Sequence, residues 1–447
     1  MCYAVGMQAT FMHVADVHLG NFQYQNKERY NDFARAFGAI VDEAVQRRVD
    51  AFLVAGDVFH KRSIDALTLF QAKEAFGRLH AAGIPALVIE GNHDKAHYRD
   101  AQVSWLNFLS WSGELILLTA TPDGPDMHFA PWSSAQRQGG YYDLPGKGMR
   151  IYGVPWYGGS TAAIMQRVGE ELQRVQVEEE QAGVRYRVLM LHTGVDGVVP
   201  SLHGLPTRTQ FDPLRGLVDY IALGHVHKPY DFDNWLFNPG STETVSAEEA
   251  SWKRGYYLVE VALDGEPTHH AQHIHNKQRP FLRWSFPVEN LDSPEALLAR
   301  FAAWCQEHQA QAERSAAQFG SAPVIDVSLT GTLAFDVNGL ERRTLEEMVR
   351  GQMPALHVII RNLFHTVDFD PETGELDGRN EATRQELELR IFQELLARDA
   401  RFAQDADQWA RIMAELKQHA LADEDPAAIA AWLGQAQLRM RGNDASR

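Results

Sequence analysis

The chain has 447 residues, 45% of them hydrophobic, a net charge of −17 and only two cysteines. That length is too great for one ordinary core and predicts two or three domains, while the acidic balance excludes a protein that coats nucleic acid generally. No uncharged apolar stretch approaches the ~20 residues of a membrane helix, no signal peptide is expected, and Cys2 and Cys305 set no disulfide framework, so a cytoplasmic protein, nucleoid-associated if it meets DNA, is expected.

In chain order, residues 1–10 read as an extension. The apolar run Phe11-Met12-His13-Val14-Ala15 ends in Asp16 and His18, two apart and therefore on one side of an extended chain. Phe33, Phe37, Ile40, Val41 and Val45 predict a helix over 33–47. The run 51–56 closes on Asp57, with His60 just beyond. A helix over 64–80 leads to Pro85-Ala86-Leu87-Val88-Ile89-Glu90, which closes on Gly91-Asn92-His93-Asp94. There the glycine is expected to allow a sharp turn. This β-α-β-α-β order predicts a largely parallel sheet with right-handed crossovers.

A helix is expected over 101–111, a strand over 149–155 and a helix over 160–181. Two further apolar runs end at His192 and at His225-Val226-His227. Short strands follow over 235–263, with a turn at Pro239-Gly240-Ser241-Thr242 offering backbone N–H groups. The strand pattern breaks near 276–290. Ser293-Pro294-Glu295 starts a helix to about 318, and strands near 324–329 and 356–360 with a helix near 341–351 form a small α+β unit. From about 366 the chain is polar, then carries apolar stripes over 381–402, 407–418 and 426–440.

In open α/β sheets, sites lie past the carboxyl ends of strands. These ends offer Asp16, His18, Asp57, Asn92, His192, His225 and His227. Seven oxygen and nitrogen ligands exceed one ion and suit two that share a carboxylate. Without thiolate they favour Mn, Fe or Zn over Mg or Ca. Two such ions can clamp a phosphate and activate water. His93 is then free for proton work, with Asp94 able to hold its imidazole. Lys61, Arg62, Lys95 and Arg99 either meet phosphates or are ordinary solvated charge. His269, His270, His273 and His275 alternate as on an exposed strand and read as surface. His13 reads as packing.

The constellation resembles the calcineurin-like metallophosphoesterases, whose motifs run D-x-H, G-D, G-N-H-D, H and G-H-x-H. All five occur in order over residues 16–227. Asp16-Val17-His18-Leu19-Gly20, Gly56-Asp57-Val58-Phe59-His60, Leu191-His192-Thr193-Gly194-Val195 and Gly224-His225-Val226-His227-Lys228 resemble the SbcD-type double-strand-break repair nucleases, the meiotic-recombination nuclease family. The resemblance covers about 11–265, weakens across 281–365 and is faint beyond.

It implies an α/β fold: a calcineurin-like sandwich of two mixed β-sheets flanked by helices, a small α+β capping domain and a helical tail. The divisions are 1–280, 281–365 and 366–447. It implies two divalent ions per chain, manganese expected. One would be held by Asp16, His18, Asp57 and His227, the other by Asp57, Asn92, His192 and His225. His93 matches a transition-state histidine, and His60 one near the scissile phosphate. The activity implied is metal-dependent DNA exonuclease and endonuclease action in break repair, Ser241 joining the four basic residues as a DNA contact. The partners implied are DNA, a second copy paired through 64–80 and 101–111 with Trp105, Leu106 and Leu109 at the seam, and an SMC-like ABC ATPase of SbcC type gripped by the C-terminal helices. The rivals are a small-molecule phosphodiesterase, such as one for cyclic nucleotides, and a non-catalytic repair scaffold. The first has no need of the cap and tail, and the second has no need of intact ligands.

Overall fold

The computed structural model describes residues 8–95, 103–123, 126–335, 340–366, 384–397, 402, 405–421, 429–430, 432–434 and 436. The apolar runs joined by helices become adjacent parallel strands: Gln8–Val14 beside Ala51–Val54, then Ala86–Val88, then Ile116–Leu117. On its other side Gln8–Val14 pairs antiparallel with Gly255–Ala262, which pairs with Thr268–His275. The second sheet runs Tyr230–Phe232, Leu236–Asn238, Tyr220–Leu223, Tyr186–Leu191, Met149–Val154, Tyr141–Leu144, and is also mixed.

Three apolar layers hold the sheets. One lies between the helices Lys27–Arg47 and Ala66–Ala81 and the first sheet, through Phe37, Ile40, Phe76 and Val54. The second lies between the sheets, through Phe11, Leu53, Val188 and Tyr220. The third packs the helix Thr161–Gln181 on the second sheet through Met165, Val168 and Leu189. Strands buried on both faces read as continuous apolar runs, which is why they were visible in the sequence.

The first helix starts at Lys27, earlier than its apolar stripe. The Asn26 side chain accepts from the N–H groups of Glu28 and Arg29 at 2.8 and 3.3 Å, and the polar first turn buries Arg29 and Asp32 as an ion pair. Ser104 likewise starts a helix only at Trp105. On that helix Leu106 and Leu109, expected at a seam between copies, are fully buried in this chain's own core. The exposed apolar side chains of this region are Leu67, Phe70, Val103, Trp105, Phe108 and Trp111.

The segment read as a break in the strand pattern contains a strand, Phe281–Pro287, paired in parallel with Val324–Leu333. It escaped notice because only Phe286 on it is fully buried. His357–Thr366 completes a three-stranded sheet, carried with the helices Pro294–Phe319 and Arg342–Gln352. Ser293 caps the first of these, with Pro294 at its start.

Met1–Gly331 with Val337–Phe364 make one compact unit, and Thr332–Asp336 with His365–Arg447 a second. In the second, the helices Arg384–Ala397 and Ala406–Leu421 pack on each other, while Ile391 and Leu395 are more than half exposed. Leu438 and the Leu387 side chain lie outside the described residues. No helix among those described is long and apolar enough to cross a membrane.

The histidines of Thr268–His275 divide between the two faces of that edge strand. His270 and His275 are exposed, but His269 meets the Tyr186 hydroxyl at 2.8 Å and His273 the Pro239 carbonyl at 3.0 Å. His13 is fully buried between Tyr220 Oη and the Leu223 carbonyl, both at 2.9 Å. Burial pushes its pKa down to about 3, against ~6.5 in an unfolded chain. The fold therefore holds the neutral ring, and this contribution is complete above pH ~6.5 and lost as pH falls towards ~3. In thermal melts between about pH 4 and 7, His13→Gln should start less stable but lose less stability on acidification than the parent. Equal slopes would remove His13 as an acid-sensitive group.

Candidate metal centre

Strand ends from both sheets meet at one rim, and their backbone leaves the strands abruptly. Asp16, His18, Asp57 and His225 have φ of 52°, 53°, 52° and 79°, in the left-handed region. Backbone bonds across the rim hold these turns: Asp16 N–H to Gly56 O at 3.1 Å, His18 N–H to Asp57 O at 3.0 Å, and His60 N–H to Leu19 O at 2.9 Å. The chain does turn past the strand, over 92–94, but Gly91 does not have positive φ. It is small for another reason: a β-carbon there would sit 2.0 Å from Asp57 Oδ1. A β-carbon on Gly56 (φ 91°) would meet the His192 ring at 2.3 Å.

Two ligand groups result, each with its donor atoms within 4.8 Å of one another: Asp16, His18 and His227, and Asp57, His192 and His225. Asn92 Oδ1 joins the second, 3.1 Å from His192 Nε2 and 3.0 Å from His225 Nδ1. All seven strand-end residues are thus brought together. Each aspartate has one oxygen tied to backbone and the other turned inward. Asp16 Oδ1 accepts from His225 N–H at 3.0 Å, and Asp57 Oδ1 from His93 N–H at 2.9 Å. Asp16 Oδ2 is buried with no hydrogen-bond partner. His192 Nδ1 donates to the Ala55 carbonyl at 2.7 Å, which leaves Nε2 as a lone-pair donor. His18 Nε2 and His227 Nε2 face each other at 3.0 Å. An orphaned carboxylate oxygen and inward lone pairs fit divalent cations.

His93 stands beside these groups, with Nε2 4.0 Å from Asp57 Oδ2. Its ring stacks with His60, centroids 5.5 Å apart, and a third histidine cluster joins His18, His60 and His93. Asp94 does not hold the His93 imidazole. His93 Nδ1 donates to the His60 carbonyl at 2.7 Å. The Asp94 carboxylate accepts instead from the N–H groups of Phe59, Gly91 and Val58 at 2.9, 3.0 and 3.2 Å, which clamps two motif loops together. A backbone carbonyl leaves no mark in a sequence, whereas the neighbouring carboxylate does.

The basic candidates diverge. Lys61 is exposed and, with Lys27, lines a cavity of about 500 Å3 beside the rim, walled by Leu19, Phe22, Tyr30 and Thr68. Arg62 is exposed and donates to the Asn92 carbonyl at 3.2 Å. Lys95 is half-buried, bonded to the Trp156 carbonyl and 4.7 Å over the Tyr157 ring. Arg99 lies outside the described residues. Ser241 is not a DNA contact: it is fully buried, its hydroxyl donates to the Glu243 carbonyl at 2.9 Å and takes a bond from Arg254 at 2.6 Å. The turn's amides are likewise consumed inside, on the carbonyls of His227 and Asp16. Two residues outside the motifs complete the site. Glu249 bonds His227 Nδ1 at 2.8 Å, and Arg254 holds Glu249. Ala247-Glu248-Glu249 reads as a solvated turn, and no local signal distinguishes it.

Residues 9–229 match the family of calcineurin-like phosphoesterases. The DNA double-strand break repair protein Mre11 of Archaeoglobus fulgidus is 30% identical over 262 residues, 57% of this chain and 55% of its own. That of Haloferax volcanii is 32% identical over 257 residues, 57% and 49% of the two chains. That of Aeropyrum pernix is 29% identical over 267 residues, 57% and 58%. The chain spans about half the length of the curated relatives it matches.

Protonation in the cluster is set by burial working against mutual charge. Burial works against a charged His192, but Asp57 beside it outweighs burial and raises its pKa to about 9. For His227 burial is likewise outweighed by Glu249. Burial drives His225 down to about 4, helped by His192, and drives His18 well below its ordinary value. A histidine must be neutral to bind a metal, so ion binding expels these protons. Manganese binding near pH 7.5 is expected to release about one proton or more per chain and to weaken as pH falls. Calorimetry in two buffers of different ionisation enthalpy reads this directly. Equal heats in both would show that His192 is already neutral.

Proposed function

The chain belongs to the calcineurin-like phosphoesterase family, and from that premise we propose that it is a two-ion phosphodiesterase acting on DNA in break repair. The observation that carries this reading is the pair of ligand groups on one rim with His93 beside them. The similarity to Mre11 proteins supports DNA as the substrate. One ion falls to Asp16, His18, Asp57 and His227. The other falls to Asp57, Asn92, His192 and His225, and manganese suits the donors. Bound ions supply a clamp on the phosphate and an activated water for in-line attack.

The remaining work belongs to the chain's own groups. His93 Nδ1 is engaged by the His60 carbonyl, which leaves Nε2 to hold or give a proton at the leaving oxygen. His60 backs that ring and faces the same space. Lys61 and Lys27, at the mouth of the neighbouring cavity, are placed to meet a strand's phosphates. In this reading 1–280 carry the reaction, 281–365 cap it and 366–447 dock a partner. The exposed Ile391 and Leu395 are anchors for the helices of an SMC-like ATPase. The exposed strip of Phe70, Trp105, Phe108 and Trp111 pairs two copies.

With manganese, the full chain should cut linear DNA and leave a cyclic nucleotide intact, and the reverse preference would overturn the DNA assignment. His93→Ala should lose about 10²–10⁴-fold in turnover while keeping its manganese. Loss of the metal as well would make His93 a ligand. Deleting 381–447 should abolish ATPase co-purification and leave cutting of short single-stranded DNA nearly intact. Phe70→Glu with Trp111→Glu should shift sedimentation from dimer to monomer. A truncated chain that still binds the ATPase, or a parent chain that sediments as a monomer, would overturn the respective partner.

A further inference from the structure

His227 reaches the ligand cluster from a loop that has its own support. Its Nδ1 is 2.8 Å from Glu249 Oε1, so the ring donates there and turns the Nε2 lone pair towards His18. A carboxylate behind a histidine fixes its tautomer and its aim. Glu249 is fixed in turn. Arg254, 1% exposed, donates to Glu249 Oε2 at 3.1 Å and to the Glu249 carbonyl at 2.7 Å. Its other nitrogen donates to the His227 carbonyl at 2.9 Å and to Ser241 Oγ at 2.6 Å. One buried guanidinium thus ties the ligand's backbone to the carboxylate that aims its ring.

The same turn reaches the α+β unit. Glu248, next to Glu249 in the short helix Ala247–Glu249, forms an ion pair with Arg361 on the strand His357–Thr366. Arg361 also donates at 2.8 Å to Asp326, which is fully buried in the strand Val324–Leu333, and Arg283 donates to the other oxygen of Asp326 at 3.1 Å. Adjacent carboxylates on one turn therefore face opposite ways, one gripping the α+β sheet and one gripping His227.

We propose that Glu249 is a positioning residue for His227, and that the turn Ala247–Glu249 couples the α+β unit to the metal centre through the Glu248–Arg361 pair. This rests on the metal-centre reading above. A shift of the strand carrying Arg361 pulls on the turn, and so changes the aim of one ligand of one ion. Among the described residues Asn92, His192 and His225 make no hydrogen bond to this turn, so the ion that they would hold is expected to be unaffected.

Manganese titration of the full chain by calorimetry tests this. Glu249→Gln is expected to weaken one of two ions by about 10- to 100-fold with the other ion unchanged, while the metal-free melting temperature falls because the buried Arg254 loses its counter-charge. Glu249→Asp, which keeps the charge, is expected to recover part of the loss, and carries the test alone if the glutamine variant does not fold. Arg361→Gln is expected to weaken the same ion by about 2- to 5-fold, and to add nothing in the Glu249→Gln background, as for residues acting through one element. Two ions bound as tightly in Glu249→Gln, or in Glu249→Asp where that carries the test, as in the parent would overturn the positioning role. An Arg361→Gln loss that adds in full to that of Glu249→Gln would overturn the coupling. A parent chain that binds no manganese would instead overturn the metal-centre reading.

Discussion

Asp16, His18, Asp57 and His225 all hold a backbone conformation in which the β-carbon crowds the following carbonyl. Each such residue costs on the order of 1–3 kcal/mol. Four of them approach the net stability of a whole domain, roughly 5–15 kcal/mol. They persist only because what precedes them cannot move: Met12, Val14, Val54 and Leu223 are completely buried. The strain also has a use. A strand that simply continued would alternate its side chains between faces. A left-handed residue breaks that alternation, so that donors from strands of both sheets turn into one space.

The close approach of the loops follows from the same constraint. The Asp57 loop and the Gly91 loop touch where a β-carbon would fall 2.0 Å from a carboxylate oxygen. Asp94 then ties them by accepting from Val58, Phe59 and Gly91. A fully buried carboxylate with three amide donors is satisfied without a positive partner. The G-N-H-D motif therefore joins two placements in four residues: Asn92 and His93 face the ligand cluster, while Gly91 and Asp94 hold the loops that present them.

Most of this was legible wherever burial and chemistry coincide in one run. Strands buried on both faces announce themselves as apolar runs, and the polar residues that end these runs are the ones the structure gathers at the rim. What stayed hidden depends on partners distant in the chain. Glu249 reads as surface until Arg254 and His227 are seen around it. Ser241 reads as an open turn until its hydroxyl is found between Glu243 and Arg254. Phe281–Pro287 has only Phe286 fully buried, so it carried too little apolar signal to read as a strand. Backbone carbonyls are invisible to any side-chain pattern, so the His60 carbonyl that holds His93 is not legible in the sequence.

The acidic balance bears on how such a chain meets a polyanion. At −17 overall, long-range attraction to DNA cannot come from net charge. Attraction has to be local. Asp16 and Asp57 bring two negative charges to the rim, and cation binding would expel the protons that charge His192 and His227, so on the proposed two-ion reading a surplus of about two positive charges is left there. Lys27 and Lys61 line the cavity beside that rim. On the same reading, loading the site makes the field more positive where a phosphate would sit, while the acidic surface around it still repels a polyanion. On the DNA reading proposed above, an acidic fold of this kind favours a strand threaded to one point over a duplex laid along its side.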